Sequence, residues 1–83
     1  MRRLIYSDDF ANQLTDLERH VPRLRAILKG VALKLTANPE YGEQVRFDPS
    51  VWFVPLPDTT ARAIGISYCF NDEIVELLSV WIS

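Results

Sequence analysis

The apolar residues of this 83-residue chain change their spacing once, around residues 38–42. Before that segment they recur every three or four positions, which is typical of amphipathic helices, and after it they alternate, which is typical of strands. The segment itself reads NPEYG. A residue before proline avoids the helical region and glycine adopts a positive φ at little cost, so this segment is a predicted helix stop. The sequence therefore predicts helices first and a sheet afterwards.

The first part of the chain predicts a short strand and two helices. Residues 2–6 form the predicted strand, and Ser7 follows as the predicted N-cap of a helix, with Asp8 and Asp9 where the helix dipole favours negative charge. The apolar stripe of this helix is Phe10, Leu14, Leu17 and Val21. Pro22 is predicted in the first turn of a second helix. The stripe of the second helix is Leu24, Ile27, Leu28, Val31 and Leu35.

The second part predicts a three-stranded antiparallel meander. Residues 45–47 and 51–56 are short strand segments separated by Asp48, Pro49 and Ser50. Residues 61–70 and 73–82 are the two longest strands, joined by Asn71 and Asp72 in a predicted two-residue type I′ turn. The predicted fold class is α+β: an N-terminal strand, a helical hairpin and the meander, in one twisted antiparallel sheet with both helices on one face. A chain of this length is predicted to form one domain over residues 1–83.

The last hairpin gives a predicted register for the two longest strands. With a two-residue turn, Tyr68 pairs with Val75 on the face that the helices cover, and Ser67 pairs with Glu76 on the other face. In the same register an apolar row lies on the uncovered face, opposite small side chains. Apolar neighbours left in water favour a partner or an oligomer contact. The predicted partner-binding residues are this row and its neighbour: Leu78, Val80, Ile82 and Trp81.

Charge and composition limit the classes of function. The formal net charge is −2 with a pI near 5.2, which does not suit a protein that grips nucleic acid by its phosphates. Cys69 and His20 are the single residues of their types and give no metal-ligand cluster, so we expect no metal and no cofactor. No apolar run resembles a membrane span or a signal peptide. We therefore expect a cytoplasmic protein that does not bind a membrane.

The order of these predicted elements resembles a known family. A strand, a helical hairpin, the NPEYG stop and a closing meander with ISYCFNDEIVELLSV at its core are similar to the RelE/ParE superfamily of bacterial toxins from toxin-antitoxin pairs. The resemblance covers nearly the whole chain as a pattern. It implies an antitoxin protein as partner and a cellular target such as gyrase or the ribosome with its mRNA. Edge strands need protection, so a homodimer is also consistent with the pattern.

The sequence departs from that superfamily at its basic residues. Members typically carry an arginine three residues before the tyrosine of the penultimate strand, where this chain has Gly65, and close the last strand with basic residues, where it has Trp81 and Ile82. The resemblance implies that mRNA-cleaving members use such side chains to orient phosphate and stabilise developing negative charge. Their absence favours the gyrase-poisoning branch, whose members act by binding.

Three functions follow as hypotheses, and they leave open whether the chain is an enzyme. The first is a toxin or toxin-like protein that binds a cellular target and is neutralised by an antitoxin. The second is a non-toxic interaction module of the same fold. The third is an mRNA-cleaving ribonuclease with an atypical site, for which the candidate catalytic residues are Arg46, Arg62 and Tyr68.

Overall fold

The structure, a computed structural model, describes residues 2–21, 23–56 and 63–82. Within them the chain forms a mixed sheet with two helices, which confirms the predicted α+β class. The elements in chain order are β1 (Arg3–Tyr6), α1 (Asp8–Glu18), α2 (Leu24–Ala37), a 3₁₀ turn (Pro39–Tyr41), β2 (Glu43–Val45), β3 (Asp48–Pro55), β4 (Ile64–Phe70) and β5 (Ile74–Ile82).

The sheet has the strand order β1-β5-β4-β3-β2. β1 runs parallel to β5, whereas every other pair is antiparallel, so the prediction of a wholly antiparallel sheet is wrong for β1. Parallel neighbours need a long connection between them. The chain supplies one, because the helical hairpin and three strands lie between β1 and β5 in sequence.

The β2–β3 hairpin turns earlier than predicted. The turn is at Arg46 and Phe47, and the predicted separator, Asp48 to Ser50, belongs to β3. The Asp48 carboxylate accepts hydrogen bonds from the Ser50 N–H at 3.2 Å and the Ser50 hydroxyl at 2.7 Å. These local bonds resemble turn chemistry but occur here at the start of a strand.

The helices follow the predicted stripes. The Ser7 side chain accepts a hydrogen bond from the Phe10 N–H at 3.1 Å, which confirms it as the N-cap of α1. α1 ends at Glu18, and Arg23 precedes α2 with a left-handed φ of 65°, which redirects the chain between the helices. Pro22, predicted at this break, lies outside the described residues. α2 ends before Asn38, at the predicted NPEYG stop.

The core lies between the two helices and one face of the sheet. Its buried side chains come from α1, α2, β3, the residue after β3, β4 and β5: Phe10, Leu14, Leu24, Leu28, Val31, Leu35, Val54, Leu56, Ile64, Ile66, Tyr68, Val75 and Leu77. Burying one large apolar side chain contributes about 1.5–3 kcal/mol. This continuous cluster stabilises the covered face, and no described helix or strand forms a second layer on the opposite face of the sheet.

The β4–β5 hairpin does not have the predicted register. The Asn71 side-chain oxygen accepts from the Glu73 N–H at 2.8 Å and the Ile74 N–H at 2.9 Å, so the loop is longer than a two-residue turn. As a result Phe70 pairs with Val75. The side-chain cap of Asn71 favours this loop over the type I′ turn, and it shifts every pair that follows.

Candidate functional site

A β-bulge in β5 decides which side chains reach the open face of the sheet. Tyr68 pairs with Leu77, but the next pair is Ser67 with Ser79, so Leu78 is the extra residue. Because side chains alternate along a strand, one extra residue exchanges the two faces beyond it. The rest of β5 therefore has the opposite orientation from the predicted one.

The prediction that Leu78, Val80 and Ile82 form one apolar row on the open face is therefore wrong. Val80 pairs with Ile66 and Ile82 pairs with Ile64, and this places both on the face that the helices cover. Val80 is half-buried against the core. Trp81 lies instead on the open face, where it pairs with Gly65.

The end of β5 nevertheless remains the exposed part of this strand. Trp81 is 53% exposed and Ile82 is 44% exposed. The Val80 N–H donates to the Gln13 side-chain oxygen at 2.7 Å, so α1 covers part of the edge of β5 that β1 leaves free. Of the predicted partner-binding residues, Trp81 and Ile82 are therefore the most accessible, while Leu78 and Val80 are half-buried.

The hydroxyl groups on the open face bind one another. Ser67 and Ser79 form a hydrogen bond across the two strands, and the Trp81 indole N–H donates to the Ser79 hydroxyl at 3.1 Å. The Phe53 ring packs edge-on against Trp81 with 5.8 Å between ring centroids. A nucleophilic serine needs an adjacent base, and the partners of these hydroxyls supply none. The polar and aromatic groups of this patch therefore bind one another and include no catalytic base.

Gly65 explains why the open face has no arginine at the position where the superfamily typically carries one. A Cβ added at Gly65 would collide with the Phe53 ring and would lie 3.2 Å from the Val54 carbonyl oxygen. Phe53 therefore occupies the space that a side chain at residue 65 would need. The departure seen in the sequence is built into the packing of β3 against β4.

Glu76 does not face Ser67 as predicted, because the longer loop pairs it with Cys69. The Cys69 Sγ donates to the Glu76 Oε1 over 3.7 Å. Burial raises the pKa of the Cys69 thiol, and the charge of Glu76 and this hydrogen bond raise it further. The thiol consequently stays protonated near neutral pH and is a poor nucleophile.

Tyr68, a candidate catalytic residue, is fully buried on the covered face. Its hydroxyl donates to the Pro39 carbonyl oxygen at 2.6 Å and accepts from the Gly42 N–H at 3.1 Å. Burial raises the pKa of Tyr68, and the Gly42 N–H opposes that shift. The hydroxyl thus ties β4 to the NPEYG segment. We call this contact the tyrosine clamp.

Gly42 is needed for the close packing at the tyrosine clamp and does not form a left-handed turn. Its φ is −83°, so the expected positive φ does not occur. A Cβ at this position would collide with the Phe53 carbonyl oxygen and lie 2.6 Å from the Tyr68 hydroxyl oxygen. The absence of a side chain is what allows the close approach of β3 and β4 to the 3₁₀ turn.

The three candidate catalytic residues do not assemble into one site. Arg46 is exposed in the turn between β2 and β3, and Arg62 lies outside the described residues. β3 separates β2 from β4, and Tyr68 points into the core. Arg46 and Tyr68 are therefore not brought together.

Positive charge is scarce on the sheet. Within the five described strands, Arg3 on the edge strand β1 is the one Lys or Arg residue. Phosphate binding by a protein surface depends on such cations. In the described ranges, no three or more His, Cys, Asp or Glu side chains are grouped as a metal site. Neither described helix is long and apolar enough to cross a lipid bilayer.

Comparison with known proteins finds similarity in structure but not in sequence. No protein-family model and no curated protein sequence matches the chain. The structure superposes on the E. coli toxin RelE, solved as a mutant in the free state, with a TM-score of 0.70 over 95% of this chain and 80% of RelE. The chain has a RelE-like fold. At 17% identity the likeness concerns the fold alone.

The structure has a second surface that the sequence did not predict. It is a groove between β1 and α2, lined on the helix side by residues that include Arg25, Lys29 and Leu33. These three follow one another at intervals of four, so they lie along one flank of α2. Leu33 is apolar and yet outside the predicted stripe of that helix. This outlier is the signal that could have located the groove.

Proposed function

We propose that the chain is a toxin, or a toxin-like component, of a bacterial type II toxin-antitoxin system. It acts in the cytoplasm by binding a cellular target, and an antitoxin protein neutralises it. The proposal rests on one combination: a RelE-like fold whose described strands carry Arg3 as their sole cation. The fold supports membership of a toxin system, and the scarcity of cations on the described strands supports action by binding.

A ribonuclease with an atypical site receives less support. Transition-state stabilisation at phosphate requires positive groups directed at the developing charge. On the open face the space above Gly65 is filled by Phe53, and the hydroxyls of Ser67 and Ser79 bind each other. The Tyr68 hydroxyl is held in the tyrosine clamp.

The partner-binding surface that we propose from β5 is centred on Trp81 on the open face, and Ile82 borders it from the opposite face at the end of the strand. Both are exposed, and aromatic residues at the centre of an interface often contribute much of its binding energy. Leu78 and Val80 contribute less area because they are half-buried. A second copy of the chain and a cellular target are both compatible with this surface.

The experiment is induced expression of the full chain in bacteria, with growth and pulse-labelled synthesis of protein, RNA and DNA followed together. Growth arrest is the expected result. An early fall in DNA synthesis identifies a gyrase-like target, and an early fall in translation identifies the ribosome or mRNA. Normal growth at a confirmed level of folded protein would contradict the toxin function and favour a non-toxic interaction module.

A further inference from the structure

β5 has different neighbours along its length. Its first part, residues 74–77, pairs with β1 on one side and with β4 on the other. Its end, residues 78–82, pairs with β4 alone among the described strands. A shift of this end against β4 by one residue, starting at the bulge residue Leu78, would therefore break no pair with β1.

Helix α1 and the residue before it bind the edge that β1 leaves free. The Ser7 hydroxyl donates to the Leu78 carbonyl oxygen at 2.9 Å. The Gln13 side-chain oxygen accepts from the Val80 N–H at 2.7 Å. The same Ser7 hydroxyl accepts from the Phe10 N–H and caps α1. The end of β5 is thus bound to the first two turns of α1.

These two contacts exist because of the bulge. The Ser7 N–H donates to the Leu77 carbonyl oxygen at 3.0 Å, so the backbone groups of Leu77 point away from β4. Backbone groups alternate in direction along an uninterrupted strand, and those of Leu78 and Val80 would then point towards β4. The extra residue turns them outward, where Ser7 and Gln13 bind them. The contacts with α1 therefore distinguish the bulged register from an uninterrupted one.

The apolar pattern at the end of β5 selects only weakly between these two registers. In the bulged register Val80 and Ile82 lie on the covered face and Trp81 lies on the open face. In the uninterrupted register the two sets would exchange faces, and Leu78 would join the open-face row. Hydrophobic burial normally fixes a register, but here each alternative places large apolar side chains on the covered face. The contacts with α1 are therefore the main difference between the two.

We propose that the end of β5 has two registers and that α1 selects the bulged one through Ser7 and Gln13. While both contacts are made, Trp81 lies on the open face. When α1 moves away from β5, the bulge is lost, Trp81 turns to the covered face, and an aliphatic row replaces it on the open face. Ser7 and Gln13 are thus positioning residues that act through β5 and decide which side chains its end presents.

The two registers do not depend on the function proposed above, whereas their consequence for partner binding rests on it. If Trp81 is the centre of the partner-binding surface, the bulged register alone presents that surface. Growth arrest by a chain whose register does not shift would remove the register proposal and keep the toxin function. A register that shifts in a chain that does not arrest growth would do the reverse. The two proposals can therefore fail separately.

Two double variants of the full chain separate the register from the stability of α1. Ser7→Asp/Gln13→Ala keeps a side chain that caps the helix, but it removes the donor to Leu78 and the acceptor for Val80. Ser7→Thr/Gln13→Glu is the matched control, because it keeps a hydroxyl and a side-chain acceptor at the same positions. Every chain, including the reference, carries Trp52→Phe, so that one tryptophan remains.

The first measurement is the NMR nuclear Overhauser effect between α protons of β4 and β5. Val80 donates to Gln13 and not to β4, so its pair with Ile66 is a non-hydrogen-bonded one, in which the α carbons lie about 4.5 Å apart. We expect a signal between Ile66 and Val80 in the reference chain and in the matched control. In Ser7→Asp/Gln13→Ala we expect it to be replaced by a signal between Ile66 and Ser79.

The second measurement is the quenching of Trp81 fluorescence by acrylamide. Trp81 is exposed in the bulged register, so quenching should weaken in Ser7→Asp/Gln13→Ala and stay unchanged in the matched control. Persistence of the Ile66 signal to Val80 with unchanged quenching, or the same change in both double variants, would overturn the proposal. If Ser7→Asp/Gln13→Ala does not fold, Gln13→Ala alone replaces it. In that variant signals from Ile66 to both Val80 and Ser79 support the proposal, and a signal to Val80 alone overturns it.

Discussion

The two faces of the sheet perform different tasks. On the covered face, large side chains such as Ile66, Tyr68 and Leu77 are fully buried against the helices. On the open face, hydroxyls bind each other and aromatic rings pack over Gly65. The first face fixes the fold, and the second has room for a partner but, among the described strands, carries Arg3 as its single cation. The chain therefore combines a RelE-like fold with an open face that has few cations.

Neighbouring leucines in β5 provide the strongest test of this difference. Leu77 is fully buried on the covered face, whereas Leu78 is the half-buried bulge residue. We expect Leu77→Ala to lower the free energy of unfolding by about 2–5 kcal/mol because it leaves a cavity. Leu78→Ala should cost about 1 kcal/mol. Urea unfolding measures both, and equal losses would contradict the assignment of the bulge.

A pair of glycines tests the close packing at the tyrosine clamp. Gly42→Ala forces a Cβ against the Phe53 carbonyl and the Tyr68 hydroxyl, and we expect a loss of about 1–3 kcal/mol of stability. Gly30 in α2 has nothing within 4 Å of an added Cβ. Gly30→Ala should therefore stabilise the chain by about 0.5–1 kcal/mol. Thermal unfolding of the two variants should give shifts of opposite sign, and shifts of the same sign would refute this account of Gly42.

Removing the Tyr68 hydroxyl distinguishes the stability contributed by its hydrogen bonds from that contributed by its buried ring. Tyr68→Phe keeps the buried ring but leaves the Pro39 carbonyl and the Gly42 N–H without this partner. We expect a loss of about 1–3 kcal/mol in the free energy of unfolding. The fold should survive, as circular dichroism would show. A neutral substitution would mean that the clamp adds no net stability.

Alkaline pH should weaken the folded state through two groups. Folding raises the pKa of Cys69 above its usual 9.0 and that of Tyr68 above its usual 10.0. Both contributions are complete below those ordinary values and are lost as pH rises through the higher pKa values of the folded state. Urea midpoints should therefore fall above pH 9, and Cys69→Ala and Tyr68→Phe should each flatten part of that fall. Midpoints that stay constant in the wild type, or that fall as much in both variants as in the wild type, would contradict these shifts.

The smallest effect on stability is expected on the open face. Trp81→Ser removes an exposed ring that contacts Phe53, and such aromatic pairs contribute about 0.5–1.5 kcal/mol. The variant should fold yet inhibit growth less than the wild type does. Phe47→Ser, an exposed aromatic substitution elsewhere, serves as the control for expression. Equal growth inhibition by all three chains would exclude Trp81 as a partner contact.

The elements were predictable from sequence because each rests on local periodicity. The stripes of α1 and α2 and the cap at Ser7 follow from spacing and short-range hydrogen bonding. The register of the last hairpin does not, because alternation fits several loop lengths equally well. The side chain of Asn71 selects the loop, and the bulge at Leu78 then reverses the faces. The alternation of apolar residues predicts neither the loop length nor the position of the bulge.

The site was less predictable because it depends on contacts between distant residues. The sequence shows that an arginine is missing at Gly65, but the reason is the ring of Phe53. It also shows Tyr68 and Gly42 as separate motifs, and only the fold joins them. The groove escaped prediction because half of it belongs to β1, whose neighbour in the sheet is the last strand of the chain.

The central proposal is that the chain acts by binding and does not cut RNA. The most direct test is to follow the length of cellular mRNAs during the first minutes after induced expression, in the wild type and in Arg46→Ala and Arg62→Ala. We predict that growth stops in all three while the mRNAs remain full-length. Early mRNA cleavage in the wild type would contradict this proposal, and its loss in either arginine variant would assign the cleavage to this chain.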